Sequence, residues 1–177
     1  MIDDLLLQKA KNIKCLISDV DGVLTDGSLY FDAHGNELKM FNVQDGMGLK
    51  LLMSAGIHVA IITTATTAII DHRMKQLGVK HYFKGCIDKR NAFETLKKEL
   101  HLTNEMCAYI GDDLPDIPII QQVAIGIAVS NALIDVKESA CFVTQKEGGR
   151  GAVREVCDIL LKAQEKQKMA LEHYLAS

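Results

Sequence analysis

Two aspartates one residue apart, Asp19 and Asp21, follow an apolar stretch and precede a glycine, in the run Asp19-Val20-Asp21-Gly22-Val23-Leu24-Thr25. Carboxylates this close repel each other unless a positive charge lies between them, so the pair asks for a cation. Gly22 lets the backbone turn sharply and a ligand approach closely. Further along, Thr63 offers a hydroxyl after Ile61-Ile62, at the start of a predicted helix, where anions are favoured. Lys89 is a cation suited to a phosphate, or to a carboxylate that carries one. Gly111-Asp112-Asp113-Leu114-Pro115-Asp116 is a second acid cluster, able to complete a magnesium site. Each has a plain alternative: Thr63 and the Asp112 cluster as helix caps, Lys89 as a solvated surface lysine. Their joint appearance, in order and each at the carboxyl end of a predicted strand, points to metal-assisted phosphoryl chemistry.

The elements that must position these residues alternate between strand-like and helix-like patterns. Ile13–Ser18 reads as a buried strand, and ligands of open α/β sheets bind at such carboxyl ends. Residues 28–41 form two short alternating segments around Gly35-Asn36, a predicted β-hairpin inserted beside the acidic motif. Helices are predicted over Asp45–Ala55, Thr66–Leu77 and onward from an Asp88 cap. Strands are predicted over Ile57–Ile62, Met106–Ile110, Val123–Val129 and Cys141–Val143. Pro115 suits the opening turn of a helix, and a last helix is predicted from near Gly151 to Tyr174. The pattern is that of an α/β protein: a doubly wound, Rossmann-like, mostly parallel sheet with helices on both faces. With no repeat, linker or low-complexity tract, a single domain over residues 1–177 is expected.

The net charge of −3 offers no general attraction for nucleic acid or an anionic membrane, so an anionic ligand must be captured by local positive charge. The N-terminus carries acids where a secretory signal carries bases, and no apolar run is long enough to span a bilayer. Five cysteines without a C-x-x-C pair argue against a disulfide framework, and Cys15, Cys107 and Cys141 read as buried thiols. A reduced, cytoplasmic protein is the expectation.

Asp19-Val20-Asp21-Gly22, Thr63, Lys89 and Gly111-Asp112-Asp113 together resemble the haloacid dehalogenase-like phosphohydrolases. Asp19–Gly27 with its hairpin, Phe41-Asn42-Val43-Gln44-Asp45-Gly46, Gly111–Leu114 and Gly148-Gly149-Arg150-Gly151-Ala152-Val153-Arg154-Glu155 are similar, more narrowly, to the 3-deoxy-D-manno-octulosonate 8-phosphate phosphatases of lipopolysaccharide synthesis. The resemblance implies Asp19 as nucleophile, Asp21 as general acid and base, and Thr63 and Lys89 on the phosphoryl oxygens. It implies one Mg²⁺ held by Asp19, the Asp21 carbonyl and Asp112, with Asp113 and Asp116 orienting these groups. Substrate contacts are implied on Asn42, Val43, Gln44, Asp45 and Gly46, and at Lys50 and Arg73; on the residues alone, Lys50 and Arg73 are equally ordinary helix charges.

The resemblance further implies no cap domain and a homotetramer in which neighbouring subunits roof each site. Gly148–Gly151 would then be a mobile segment carrying Arg150 to an adjacent site, or else a flexible loop before the last helix. Where the family has Thr-Gly-Arg this chain has Thr63-Thr64-Ala65, so no guanidinium fork is offered there. A phosphatase for nine-carbon sialic-type sugar-acid phosphates, or a non-catalytic oligomerisation module, are the alternative readings.

Overall fold

The computed structural model describes residues 4–175. Helix α1 (Asp4–Asn12) leads into β1 (Cys15–Ser18), followed by hairpin strands β2 (Tyr30–Phe31) and β3 (Glu37–Leu38). Next come α2 (Val43–Ser54), β4 (His58–Ile62), α3 (Ala68–Leu77), β5 (His81–Phe83), α4 (Lys89–Leu100) and β6 (Cys107–Gly111). A short α5 (Ile117–Ile120), β7 (Ile125–Ala128), α6 (Ile134–Ser139), β8 (Phe142–Val143), α7 (Ala152–Ala163) and α8 (Gln167–Leu175) complete the chain.

Six strands form one sheet in the order β5-β4-β1-β6-β7-β8, every neighbouring pair parallel. β1, β6 and β7 are buried along their whole length, as strands covered on both faces must be. After β1 the chain winds outward to β4 and β5. It then crosses back to β6 and winds the other way, so the topology reverses between β1 and β6. Ligands of such sheets bind at that reversal, at the carboxyl ends. The register pairs Ser18 with both Ile61 and Ile110, which brings Asp19, Thr63 and Asp112 out along the same edge.

Helices α2 and α7 pack against each other on one face, with α1 beside α7, while α4 packs on α5 and β4 on the other. One continuous core joins the layers, from Leu49 and Leu52 of α2 and Val156 and Leu160 of α7, through Ile17, Ile61 and Ile110, to Phe93 and Leu96 of α4.

The doubly wound sheet and the hairpin follow the sequence pattern. Asp32 makes the hairpin turn by accepting the His34 and Asn36 amides at 2.8 Å each, and Gly35 takes φ +81. Asp88 caps α4 by accepting the Arg90 amide at 3.0 Å.

Other expectations need correction. The last helix is two helices: Glu165 adopts φ +56, and the Gln164 side chain turns back to donate to Ala10 O and Ile13 O at 3.0 and 2.8 Å. No glycine or proline marks that break, because a tertiary contact with the end of α1 makes it. Helices α1 and α6 were not predicted, and β5 supplies the strand end expected ahead of Lys89. Cys15 and Cys107 are buried thiols as expected, but Cys141, just ahead of edge strand β8, is exposed. No helix among the described residues is long and apolar enough to cross a membrane.

Candidate active site

Strand pairing runs one residue past β1, since the Asp19 amide donates to Ile110 O at 3.1 Å. The chain then folds tightly around Val20, whose carbonyl accepts from Val23, Leu24 and Thr25 at 3.2, 2.8 and 3.1 Å. The two glycines of the acidic motifs leave room for aspartates. A Cβ on Gly22, already at φ +83, would sit inside the Asp112 carboxylate, and one on Gly111 would collide with Asp116. Asp112 reaches the Asp19 loop only because Gly22 has no side chain.

At the centre lies a buried ion cluster. Lys89 is 1% exposed, and its Nζ donates to Asp19 Oδ2 at 2.8 Å and to Asp116 Oδ1 at 2.7 Å. Burial works against its charge, but the two carboxylates more than offset this and its pKa is raised. Asp116 is fully saturated. Its Oδ1 also accepts from Tyr109 Oη at 2.6 Å, and its Oδ2 accepts the Asp112 and Asp113 amides at 2.9 and 3.2 Å. Asp113 caps the turn after β6 by accepting the Leu114 amide at 2.7 Å. Thr63 is completely buried, and its Oγ1 accepts the Ala65 amide at 3.1 Å. Tyr109 was missed in the sequence because its apolar run made it indistinguishable from core.

Carboxylate oxygens of Asp19, Asp112 and Asp116 lie within 4.8 Å of one another. Since Asp116 is occupied by donors, the atoms open to a cation are Asp19 Oδ1 and Asp112 Oδ1, both buried and without a hydrogen-bond partner. Orphaned anionic oxygens at this depth fit a hard divalent ion. Burial and the neighbouring Asp116 push the Asp19 carboxyl up to about 7, against the pull of Lys89. Burial, then Asp19 and Asp116, push Asp112 up to about 8.

These raised values set a testable pH dependence. Without metal, the folded protein holds protons on Asp19 and Asp112 that the unfolded chain, with carboxyls near 3.8, releases. The stability they contribute is complete below that ordinary value and is lost as pH rises through about 7 to 8. Thermal melts in chelator should fall across that range, and added Mg²⁺ should restore the midpoint, most strongly on the alkaline side. A metal-insensitive melting profile would contradict the site.

Known proteins resemble this chain along nearly its whole length. The family model for haloacid dehalogenase-like hydrolases matches residues 83–156. The 3-deoxy-D-manno-octulosonate 8-phosphate phosphatase of Yersinia pestis is 46% identical over 165 residues, which is 93% of this chain and 88% of that one. The chain belongs to the 3-deoxy-D-manno-octulosonate 8-phosphate phosphatase family. The family's Moraxella catarrhalis structure, solved with magnesium, phosphate and a KDO molecule, superposes with a TM-score of 0.93 at 42% identity, covering 98% of this chain and 99% of that one. A Legionella pneumophila chain assigned to subfamily III A of the haloacid dehalogenase hydrolases superposes with a TM-score of 0.96 at 63% identity, covering 98% and 96%.

The family's flanking motifs are placed as follows. Asn42 caps α2 by accepting the Gln44 amide at 2.7 Å and reaches Gly149 O at 3.4 Å. Arg73 Nη2 lies 3.5 Å from Asn42 O, its guanidinium lies over the Phe41 ring, and Gly46 leaves the space it occupies. Arg73 and the Asn42–Gly46 stretch are therefore brought together. Val43 is strongly exposed, and Gln44 lines a groove with Arg150 and Arg154.

Asp45 corrects expectation. Its buried carboxylate accepts the Gly151 amide at 3.2 Å and the Arg154 amide at 2.8 Å, so it ties α2 to the start of α7 instead of facing a ligand. Lys50 is half-buried on α2, about 12 Å of helix axis beyond Asn42.

The Gly148–Gly151 segment is also not a free arm. The Gly149 amide donates to Val23 O at 2.8 Å, and the Gly148 amide donates to Asn131 Oδ1 at 2.9 Å. A Cβ at Gly148 would run into Gly22 O, so these glycines let the segment dock on its own subunit's acidic loop. Arg150, the exposed member, lies 3.6 Å from Asp26. Gly148→Ala should push the Asp19–Thr25 loop out of place and lower turnover by ~10²-fold, the cost of a misplacement near 1 Å. A variant with normal turnover would show that the docking is dispensable.

Proposed function

We propose that the chain hydrolyses 3-deoxy-D-manno-octulosonate 8-phosphate to the free sugar acid and phosphate, as a Mg²⁺-dependent phosphomonoesterase of lipopolysaccharide synthesis. The observation that carries this reading is the pair of orphaned oxygens on Asp19 and Asp112, backed by Lys89, at the sheet's point of reversal. Asp19 and Asp112, with the Asp21 carbonyl, would hold the cation. Bound there, Mg²⁺ neutralises charge on the transferring phosphoryl group and lets an anionic nucleophile meet an anionic substrate.

An Asp19 carboxylate oxygen attacks phosphorus, and the ester P–O bond breaks with its electron pair on the sugar oxygen. Asp21 gives that oxygen its proton. A water then attacks the phosphorus of the aspartyl phosphate while Asp21 takes the water's proton back. Phosphate leaves, and the Asp19 carboxylate is restored. Lys89 holds Asp19 in place throughout, and Lys89 and Thr63 are proposed to hold phosphoryl oxygens. Arg73 with Asn42 and Gly46 forms the proposed sugar-acid side, with Gln44, Val43 and Arg150 at its margin.

Homotetramer assembly belongs to the same reading. It is supported by the exposed apolar residues Leu29, Phe31 and Leu38 on the hairpin and Val43 just beyond it, uncovered apolar surface on both faces of the hairpin of the kind that interfaces use. Sedimentation showing a fully active monomer would remove the assembly from the proposal.

The deciding experiment measures phosphate release from 3-deoxy-D-manno-octulosonate 8-phosphate, a nine-carbon sugar-acid phosphate and a hexose phosphate, each with Mg²⁺ and with chelator. Metal-dependent preference for the eight-carbon acid is expected, with Ala65 tolerated in place of the family arginine. Preference for the nine-carbon acid would change the substrate while keeping the chemistry. No turnover from folded, metal-loaded protein would leave only a non-catalytic role.

A further inference from the structure

The hairpin contributes one residue to the reaction centre that none of the motifs accounts for. Lys39 directly follows β3, and its side chain is only 3% exposed, whereas its apolar neighbours Leu38 and Met40 are exposed. This inverts the usual partition of lysine and leucine. A buried ammonium persists only where it is paired, and Lys39 Nζ lies 2.5 Å from Asp21 Oδ1 and 2.7 Å from Glu37 Oε1. Glu37 thus fixes the lysine from its own hairpin, and the lysine fixes Asp21.

The tight turn around Val20 sets the backbone beside Asp21, and among the described residues Lys39 is the hydrogen-bond donor to its side chain. The Asp21 side chain remains 36% exposed, free on its other side to meet a substrate. Lys89 does not contact it: its ion pairs are with Asp19 and Asp116.

We infer that Lys39 is a positioning residue for Asp21: the hairpin carries a buried cation that aims the general acid and base at the bond being broken. This rests on the phosphatase reading, in which Asp21 delivers and recovers the proton. Orientation of such a group governs both half-reactions, since each needs the carboxyl within hydrogen-bond reach of the moving proton.

The test separates leaving groups. Lys39→Met and Asp21→Asn are compared on 3-deoxy-D-manno-octulosonate 8-phosphate, whose alkoxide needs a proton, and on 4-nitrophenyl phosphate, whose phenolate leaves without one. Lys39→Met should lower kcat on the sugar phosphate by ~10²-fold, with KM within about threefold. On 4-nitrophenyl phosphate it should release a rapid burst of nitrophenolate equal to the active sites, then turn over slowly, because water attack still requires Asp21. Lys39→Arg should recover most of the loss, and the double variant should be no worse than Asp21→Asn alone.

Equal slowing of the burst and the sugar-phosphate reaction, or additive losses in the double variant, would overturn the inference. Lys39→Gln carries the same comparison if the methionine variant fails to fold. Wild-type protein inactive on the sugar phosphate but active on 4-nitrophenyl phosphate would strike the substrate assignment, and the burst would still decide the role of Lys39.

Discussion

Asp19→Asn is expected to abolish phosphate release, by at least ~10⁴-fold in kcat, while the protein folds normally. The amide keeps the shape of the carboxylate but cannot form the covalent intermediate. Its effect on stability separates this from general damage. The Asp19 carboxyl is held up to about 7 by burial and by Asp116, so its charge opposes folding above that pH when no metal is bound. In chelator above pH 8, the variant should therefore melt no lower than wild type, and the gain in midpoint from Mg²⁺ should shrink. Turnover and paired thermal melts check both parts. A variant that loses activity only because it melts far lower would refute the assigned role.

Lys89→Met is expected to show the opposite pattern, with a large loss of stability alongside the loss of turnover. Methionine fills a similar volume but leaves Asp19 and Asp116 buried beside each other without the cation both contact at 2.8 and 2.7 Å. Removing one partner of a buried ionic cluster costs about 3–5 kcal/mol. Asp116 cannot move away, since Tyr109 and two backbone amides hold it. Denaturant unfolding in chelator should show the full loss, and Mg²⁺ should recover only the part that comes from Asp19. A shift under 1 kcal/mol would mean that the cluster relaxes and that Lys89 is not its keystone.

The contrast between these two residues reflects how differently they were readable. Asp19 and Asp112 declared themselves through local sequence: an acid after an apolar run, with a glycine whose missing side chain the neighbouring acid needs. The alternation of strands and helices, the parallel sheet and the hairpin were legible for the same reason, since periodicity and turn chemistry act over a few residues. Lys89 was legible only as a candidate, because a lysine at a helix start is usually solvated. Its burial depends on Asp116, 27 positions later.

The family resemblance implies Asp45 as a ligand contact and Gly148–Gly151 as a mobile arm or a flexible loop. They turn out to face each other across more than a hundred residues, the carboxylate of one capping the helix that the other begins. Lys39 gave no signal, since one charge in a polar hairpin looks like any other. The break before α8 was equally silent, because the side chain that makes it bonds to the end of α1.

By itself, then, the sequence determined the order of elements, the strand ends at which chemistry could occur and the acids present there. Those properties follow from local patterning and from residue chemistry. Only the tertiary structure decided which acids are saturated and which are left open to a metal, which lysines are buried, and which loop docks on which. Those outcomes depend on contacts between residues far apart in the chain, where burial and pairing, not residue type, set the charge and the freedom of each group.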